Sequence, residues 1–131
     1  MMIEEIAVQS HRREQLINLD QKVQEFIHKS GIKEGTLTLF VPHTTAAVTI
    51  NENADPDVVH DIVHGLGKFI PHRNNYRHYE GNSDAHIKAS LIGQSEVIIV
   101  SGGKPLLGTW QSVYFCEFDG PRTRRVILRI E

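Results

Sequence analysis

Cysteine is nearly absent: Cys116 is the only one in 131 residues, so no intrachain disulfide can staple the chain. No apolar run approaches the ~20 residues needed to span a bilayer. The first residues, MMIEEIAVQS, lack the basic segment and apolar stretch of a secretory signal, so the expected compartment is the cytoplasm. Charge of one sign is also missing. A formal net charge of −2, with acids and bases interspersed, is not the footprint of a general nucleic-acid binder. The expected partners therefore include neither nucleic acid nor membrane. There is no internal repeat, low-complexity tract or linker, and no glycine-rich phosphate loop of the nucleotide-binding kind.

What is present reads as one domain spanning residues 1–131. A chain of this length folds to a radius of gyration of roughly 14 Å and buries about two-thirds of its unfolded surface, enough to need no staple. The hydrophobic share of 40% and the charged share of 23% are ordinary for a globular protein. The one odd feature is eight histidines, which raises the question of metal or acid–base chemistry.

Residues 2–9 alternate loosely and predict a first strand. A helix is predicted from near Asp20 to Ser30, with Leu19, Val23, Phe26 and Ile27 on one face and Gly31 as a left-handed cap. TLTLFVPH and AAVTINE then read as strands. Asp55 as N-cap, Pro56 at the first helical position and Asp57 near the positive dipole end predict a helix over 56–70. Its apolar stripe is Val59, Ile62, Val63, Leu66 and Ile70, and Pro71 ends it. Residues 72–82 read as a loop, and Asn82 or Ser83 caps a short helix to about Leu91, closed by Gly93. The remainder reads as β: EVIIVS, a Gly-Gly turn, a long strand around LLGTWQSVYFCEF, a turn at Asp119-Gly120-Pro121, and RRVILRI. The sum predicts an α+β fold: an antiparallel β-sandwich-like core with helices packed on one side.

Candidate site residues fall in three stretches. His43 ends a strand before two threonines, a pattern typical of a site rim, although a lone histidine there is more often a capping or hydrogen-bonding residue. Asn51, Glu52 and Asn53 close the next strand; a hairpin between the two strands would send Glu52 away from His43, so tertiary folding or a second subunit would have to rejoin them. On the 56–70 helix, His60 and His64 are spaced to share a metal. Their angle from the apolar stripe favours a solvated face, whereas Asp61 lies nearer the core boundary, where it could reach a site or remain a surface carboxylate. His78 and His86 bracket Tyr79, Glu80, Gly81, Asn82, Ser83 and Asp84. That gap matches no standard zinc signature, but imidazoles bind borderline metals and nearby carboxylates orient them. His43 would complete an open three-histidine site. In the last stretch, Trp110 could stack on a flat heterocycle, although a tryptophan in a strand is more often core or interface. Arg122 and Arg124 with Asp119 could clamp phosphate or form an exposed turn ion pair. Cys116 reads as packing.

The blocks PHTTAAVTINENADPDV, YRHYEGNSDAHIKASLIG and LGTWQSVYFCEFDGPRTRRV together resemble the YjbQ-like family of small bacterial and archaeal proteins. The resemblance runs from about Gly35 onward, with the N-terminal part matching in pattern only. It implies an α+β fold with a β-sandwich core, a homotrimer, and a secondary thiamine-phosphate synthase activity. The residues matching the family's polar motifs are His43, Thr44, Asn51, Glu52, Asp61, His78, Glu80, His86, Lys88, Trp110 and Gln111.

The leading expectation is an enzyme acting on a phosphorylated heterocycle or a related small phosphate compound. His43, His78 and His86 would hold a divalent metal ion such as Zn or Mg, and Glu52, Asp61 and His86 would be the catalytic groups. Asn51, Lys88, Trp110, Gln111 and Arg122 would bind substrate, with Lys88 and Arg122 on its phosphate and Trp110 lining its ring. Two alternatives stand beside it: metal-assisted hydrolysis by the same histidines, and a non-catalytic trimeric scaffold whose polar cluster organises the subunit interface.

Overall fold

The computed structural model describes every residue from Met1 to Glu131. The elements run β1 (Met2–Gln9), β2 (Gln15–Asn18), α1 (Asp20–Ser30), β3 (Gly35–Phe40), β4 (Ala46–Glu52), α2 (Pro56–Phe69), α3 (Ser83–Ile92), β5 (Ser95–Ser101), β6 (Lys104–Pro105), β7 (Gln111–Glu117) and β8 (Thr123–Ile130). The strands form a five-stranded sheet ordered β1-β8-β3-β5-β6 and a three-stranded sheet ordered β2-β7-β4, with every pairing antiparallel. The fold is α+β, as its alternating strands and capped helices predict.

The two sheets face each other across the main core. Leu37, Leu39, Val126, Leu128 and Ile130 of the larger sheet meet Ala46, Val48, Val113 and Phe115 of the smaller one. Strand β7 is buried along nearly its whole length because the smaller sheet is covered on both sides. Its outer face, at Ala47 and Cys116, packs under Ala85 and Ala89 of α3 and Leu66 of α2 in a second apolar cluster. Small alanines let α3 lie close to the strands. Helix α1 differs from the one-sided expectation: Val23, Phe26 and Ile27 insert into the same core as both sheets. It is tied to β7 where Asp20 Oδ1 accepts the Val113 N–H at 2.9 Å.

The helix termini follow the sequence signals. Asp55 accepts the Asp57 N–H at 2.9 Å at the head of α2, and Gly31, at φ 71°, closes α1 in the left-handed conformation. Three details depart from expectation. β2 is an unanticipated strand along the β7 edge. The strand expected through LLGTWQ begins only at Gln111, because residues 106–110 turn before it. β3 and β4 are not a hairpin: they belong to different sheets, and His43-Thr44-Thr45 is the crossing between them. No helix is long and apolar enough to cross a membrane.

Candidate functional site: a polar cavity at the sheet crossing

The crossing at His43-Thr44-Thr45, the loop after α2, the start of α3 and the β7–β8 turn converge at one end of the sandwich. They enclose a cavity of about 650 Å³ without a single hydrophobic residue in its lining. His78 and His86 stand edge to face there, their ring centroids 5.6 Å apart. His78 Nε2 is 3.6 Å from Glu80 Oε1. His72 turns in from the loop, and since a carbonyl only accepts, its Nε2–H donates to Gly81 O at 2.7 Å. On the opposite wall Arg122 is half-exposed and donates to Asp119 Oδ2 at 2.9 Å. Asn82 Nδ2 donates to the same carboxylate oxygen at 2.8 Å. The other end of that amide, Asn82 Oδ1, is buried without a hydrogen-bond partner. Such an atom costs about 1–3 kcal/mol and is satisfied by any ligand donor that enters.

Two buried ion networks hold these walls. In the first, Arg124 Nε donates to Glu117 Oε1 at 2.9 Å and Arg124 Nη2 donates to Thr45 Oγ1 at 2.8 Å. Ser10 Oγ donates to Glu117 Oε1 at 2.7 Å and accepts the Arg122 N–H at 2.9 Å. Burial opposes the Glu117 charge, but the Arg124, Ser10 and Asp119 donors outweigh it and hold the carboxyl below the usual range. In the second, Arg13 grips Asp84 with two bonds of 3.0 and 3.1 Å. Asp84 behaves like Glu117: desolvation opposes its charge, and Arg13 with Lys88 overcomes it. Gly120 permits the β7–β8 turn to close on this wall, since a Cβ there would sit 2.3 Å from Arg12 O.

His43 lies on the far side of His86, in an adjoining cleft with Phe40 and Gln94. Its Nε2 accepts the Arg125 N–H at 3.0 Å. Burial, followed by the nearby Arg124 and Arg125 charges, lowers its pKa and favours the neutral ring. With Nε2 engaged, His43 does not join His78 and His86. No group of three or more His, Cys, Asp or Glu side chains in the chain is arranged to hold a metal.

The other sequence candidates separate from this cavity. Lys88, expected on a phosphate, is 1% exposed, its ammonium paired with Glu14 and Asp84 beneath α3. Asp61, expected at a site boundary, is exposed on α2 beside His60, 3.2 Å from its Nδ1. His60 and His64 stack with centroids 6.0 Å apart, on the rim of a groove between α2 and β2. Asn51, Glu52, Trp110 and Gln111 gather at the opposite end of the smaller sheet, where Glu52 pairs with Gln111 and Tyr114 Oη donates to Glu52 O at 3.1 Å. The structure thus brings Thr44, His78, Glu80, His86, Asp119 and Arg122 together and adds Arg13, Thr45, His72 and Asn82. Arg13 carried no sequence signal, because β2, which fixes its neighbourhood, is too short to show periodicity. Asn82 did stand beside His86, but a buried orphan atom is visible only in three dimensions.

The sequence pattern of the family described as "UPF0047 protein YjbQ-like" matches residues 4–131. The chain is 50% identical over 129 residues to a UPF0047 protein of Methanocaldococcus jannaschii, an alignment covering 98% of this chain and 94% of that one. It is 42% identical over 130 residues to YugU of Bacillus subtilis, covering 98% of each. Among solved structures, an uncharacterized YjbQ/UPF0047 protein of Clostridium acetobutylicum superposes with a TM-score of 0.96 at 49% identity, covering 98% of this chain and 99% of that one. A hypothetical protein of Aeropyrum pernix gives 0.95 at 39% identity, covering 100% and 98%. The match in pattern over nearly the whole length, and in fold to within a small deviation, makes this chain a member of the UPF0047 YjbQ-like family.

Proposed function

We propose that the polar cavity binds a small phosphorylated substrate and that His78 and His86 move protons on it, in a transfer reaction of the thiamine-phosphate synthase kind. The observation that carries this is the lining: no apolar residue, an arginine with free capacity at Arg122, two facing imidazoles and an unpaired acceptor at Asn82 Oδ1. Arginine suits phosphate geometry. The Asn82 acceptor calls for a donor on the same ligand, such as a ring amino group or a hydroxyl. In such a reaction a thiazole nitrogen attacks a pyrimidine methyl carbon, the bond from that carbon to pyrophosphate breaks, and pyrophosphate leaves with the electron pair. Arg122 would offset its charge, and His78 or His86 would donate a proton to it.

The test is incubation of purified protein with an aminopyrimidine-methyl pyrophosphate, a thiazole phosphate and Mg²⁺, with thiamine phosphate read by chromatography. Arg122→Ala and His86→Ala are expected to lower the rate by about 10²-fold or more. No product above the protein-free control, together with no binding of inorganic phosphate or pyrophosphate by calorimetry, would sink the reading. Metal-assisted hydrolysis by His43, His78 and His86 has less support, because His43 Nε2 is engaged by the Arg125 amide. A homotrimer belongs to the same proposal, and is supported by the bare apolar residues Val97, Ile99 and Leu106 on the larger sheet and its β6 edge.

A further inference from the structure

The cavity and the Trp110 rim occupy opposite ends of the smaller sheet. Six residue steps separate the Ala46–Glu117 pair from the Glu52–Gln111 pair, about 20 Å at the rise of a strand. Trp110 therefore does not reach the cavity of its own chain. It is nevertheless 63% exposed on a well-held rim. Its carbonyl accepts the Asn53 N–H at 3.1 Å, and Gln111 Oε1 accepts the Gly108 N–H at 2.8 Å. A large aromatic fixed in water has the form of an interface anchor.

The two ends also differ in charge. Residues 51–57, NENADPD, carry Glu52, Asp55 and Asp57 and no lysine or arginine. Residues 72–80, HRNNYRHYE, carry Arg73 and Arg77 with two histidines against the single carboxylate of Glu80. Tyr79, beside the cavity mouth, is fully exposed. Oppositely charged patches at separate places on one chain suit contact between two copies. Because the patches are different, the contact is head to tail, and such contacts close into a ring where the rotation between copies completes a circle, as a homotrimer requires. Between the ends runs a bare apolar strip from Phe40, beside the His43 cleft, through Val97 and Ile99 to Leu106, four residues before Trp110.

We propose that the functional site is shared: the Glu52 and Trp110 rim of one copy closes over the histidine cavity of the next in a closed ring. The rim brings what the cavity lacks, an aromatic wall for a ring-bearing substrate and a further carboxylate facing His78 and His86. This rests on the cavity being the functional site and assigns its second half to another copy of the chain.

Tyr79→Cys and Trp110→Cys chains carrying different affinity tags would be co-expressed and treated with a short bis-maleimide. Both positions are exposed, and the native Cys116 is buried with its thiol pushed up to about 12, so it stays silent. The expected result is cross-linked pairs bearing one of each tag, and none when either variant is expressed alone. No mixed pairs, or Trp110→Cys chains linking to one another as readily, would overturn the shared site. Wild-type Trp110, the only tryptophan, gives a second measurement independent of any substitution. Its emission should shift to the blue, and its quenching by acrylamide should fall several-fold, between dilute separated chains and the assembly. An assembly in which Trp110 quenches like the free amino acid, or a chain that stays monomeric, would also overturn the proposal. Neither readout needs a ligand. Inorganic phosphate bound by a protein that gives no mixed cross-link would defeat the shared site and leave the cavity reading standing.

Discussion

Arg124 and Glu117 show how much of this site is built from buried charge. Both are almost fully enclosed, and each satisfies the other while Thr45 and Ser10 take the remaining valences. Removing one partner leaves the other uncompensated, so Arg124→Met or Glu117→Gln should cost about 3–5 kcal/mol in urea unfolding. Replacing both with apolar residues should recover much of that loss. Acid should act through the same groups. Glu117 and Asp84 have folded pKa values below their unfolded ones, so the folded state binds fewer protons. Their contribution is present above the ordinary carboxyl pKa of about 4 and is lost as pH falls through the lowered folded values. His43 is also lowered, so its contribution starts to fall earlier, as pH drops below about 6.5. Unfolding midpoints measured against pH should show a shallow decline that His43→Asn removes, followed by a steep one that it does not.

Among the elements, α2 was the most legible and is the least firmly packed. Asp55, Pro56 and the 3.6-residue apolar spacing fix its start and register, and the N-cap bond is present. No residue of α2 is fully buried, however, because the helix lies across the outside of the smaller sheet above an open groove. Asp55→Ala should lower stability by about 1 kcal/mol, and amide exchange should be faster in α2 than in α1, whose Val23, Phe26 and Ile27 enter the main core. The opposite case is β2. Four residues, QLIN, carry no readable period, and only the free edge of β7 makes them a strand. Trp110 fell to a related limit: apolar residues on either side suggested one long strand, while Gly108 and the Gln111 side chain close a turn before it.

For the whole molecule, the sandwich leaves one face unfinished. The smaller sheet is covered on both sides, whereas the larger one presents Ile3, Phe40, Val97 and Ile99 to solvent. Paired Val97→Lys and Ile99→Lys substitutions should lower the assembled mass in sedimentation while leaving the far-ultraviolet circular dichroism unchanged, since neither side chain enters the core. The sequence by itself determined the α+β class, the span of the helices and the family, because capping, periodicity and long motifs are local in the chain. It also marked His78, His86 and Arg122, whose residue types advertise their chemistry. Only the tertiary structure decided which candidates meet. Sending β3 and β4 to different sheets placed Glu52 a full strand length from Thr45, burying α3 drew Lys88 into an ion network, and the Arg125 amide claimed His43. Those outcomes depend on strand pairing and desolvation between residues distant in sequence, and no local pattern encodes them.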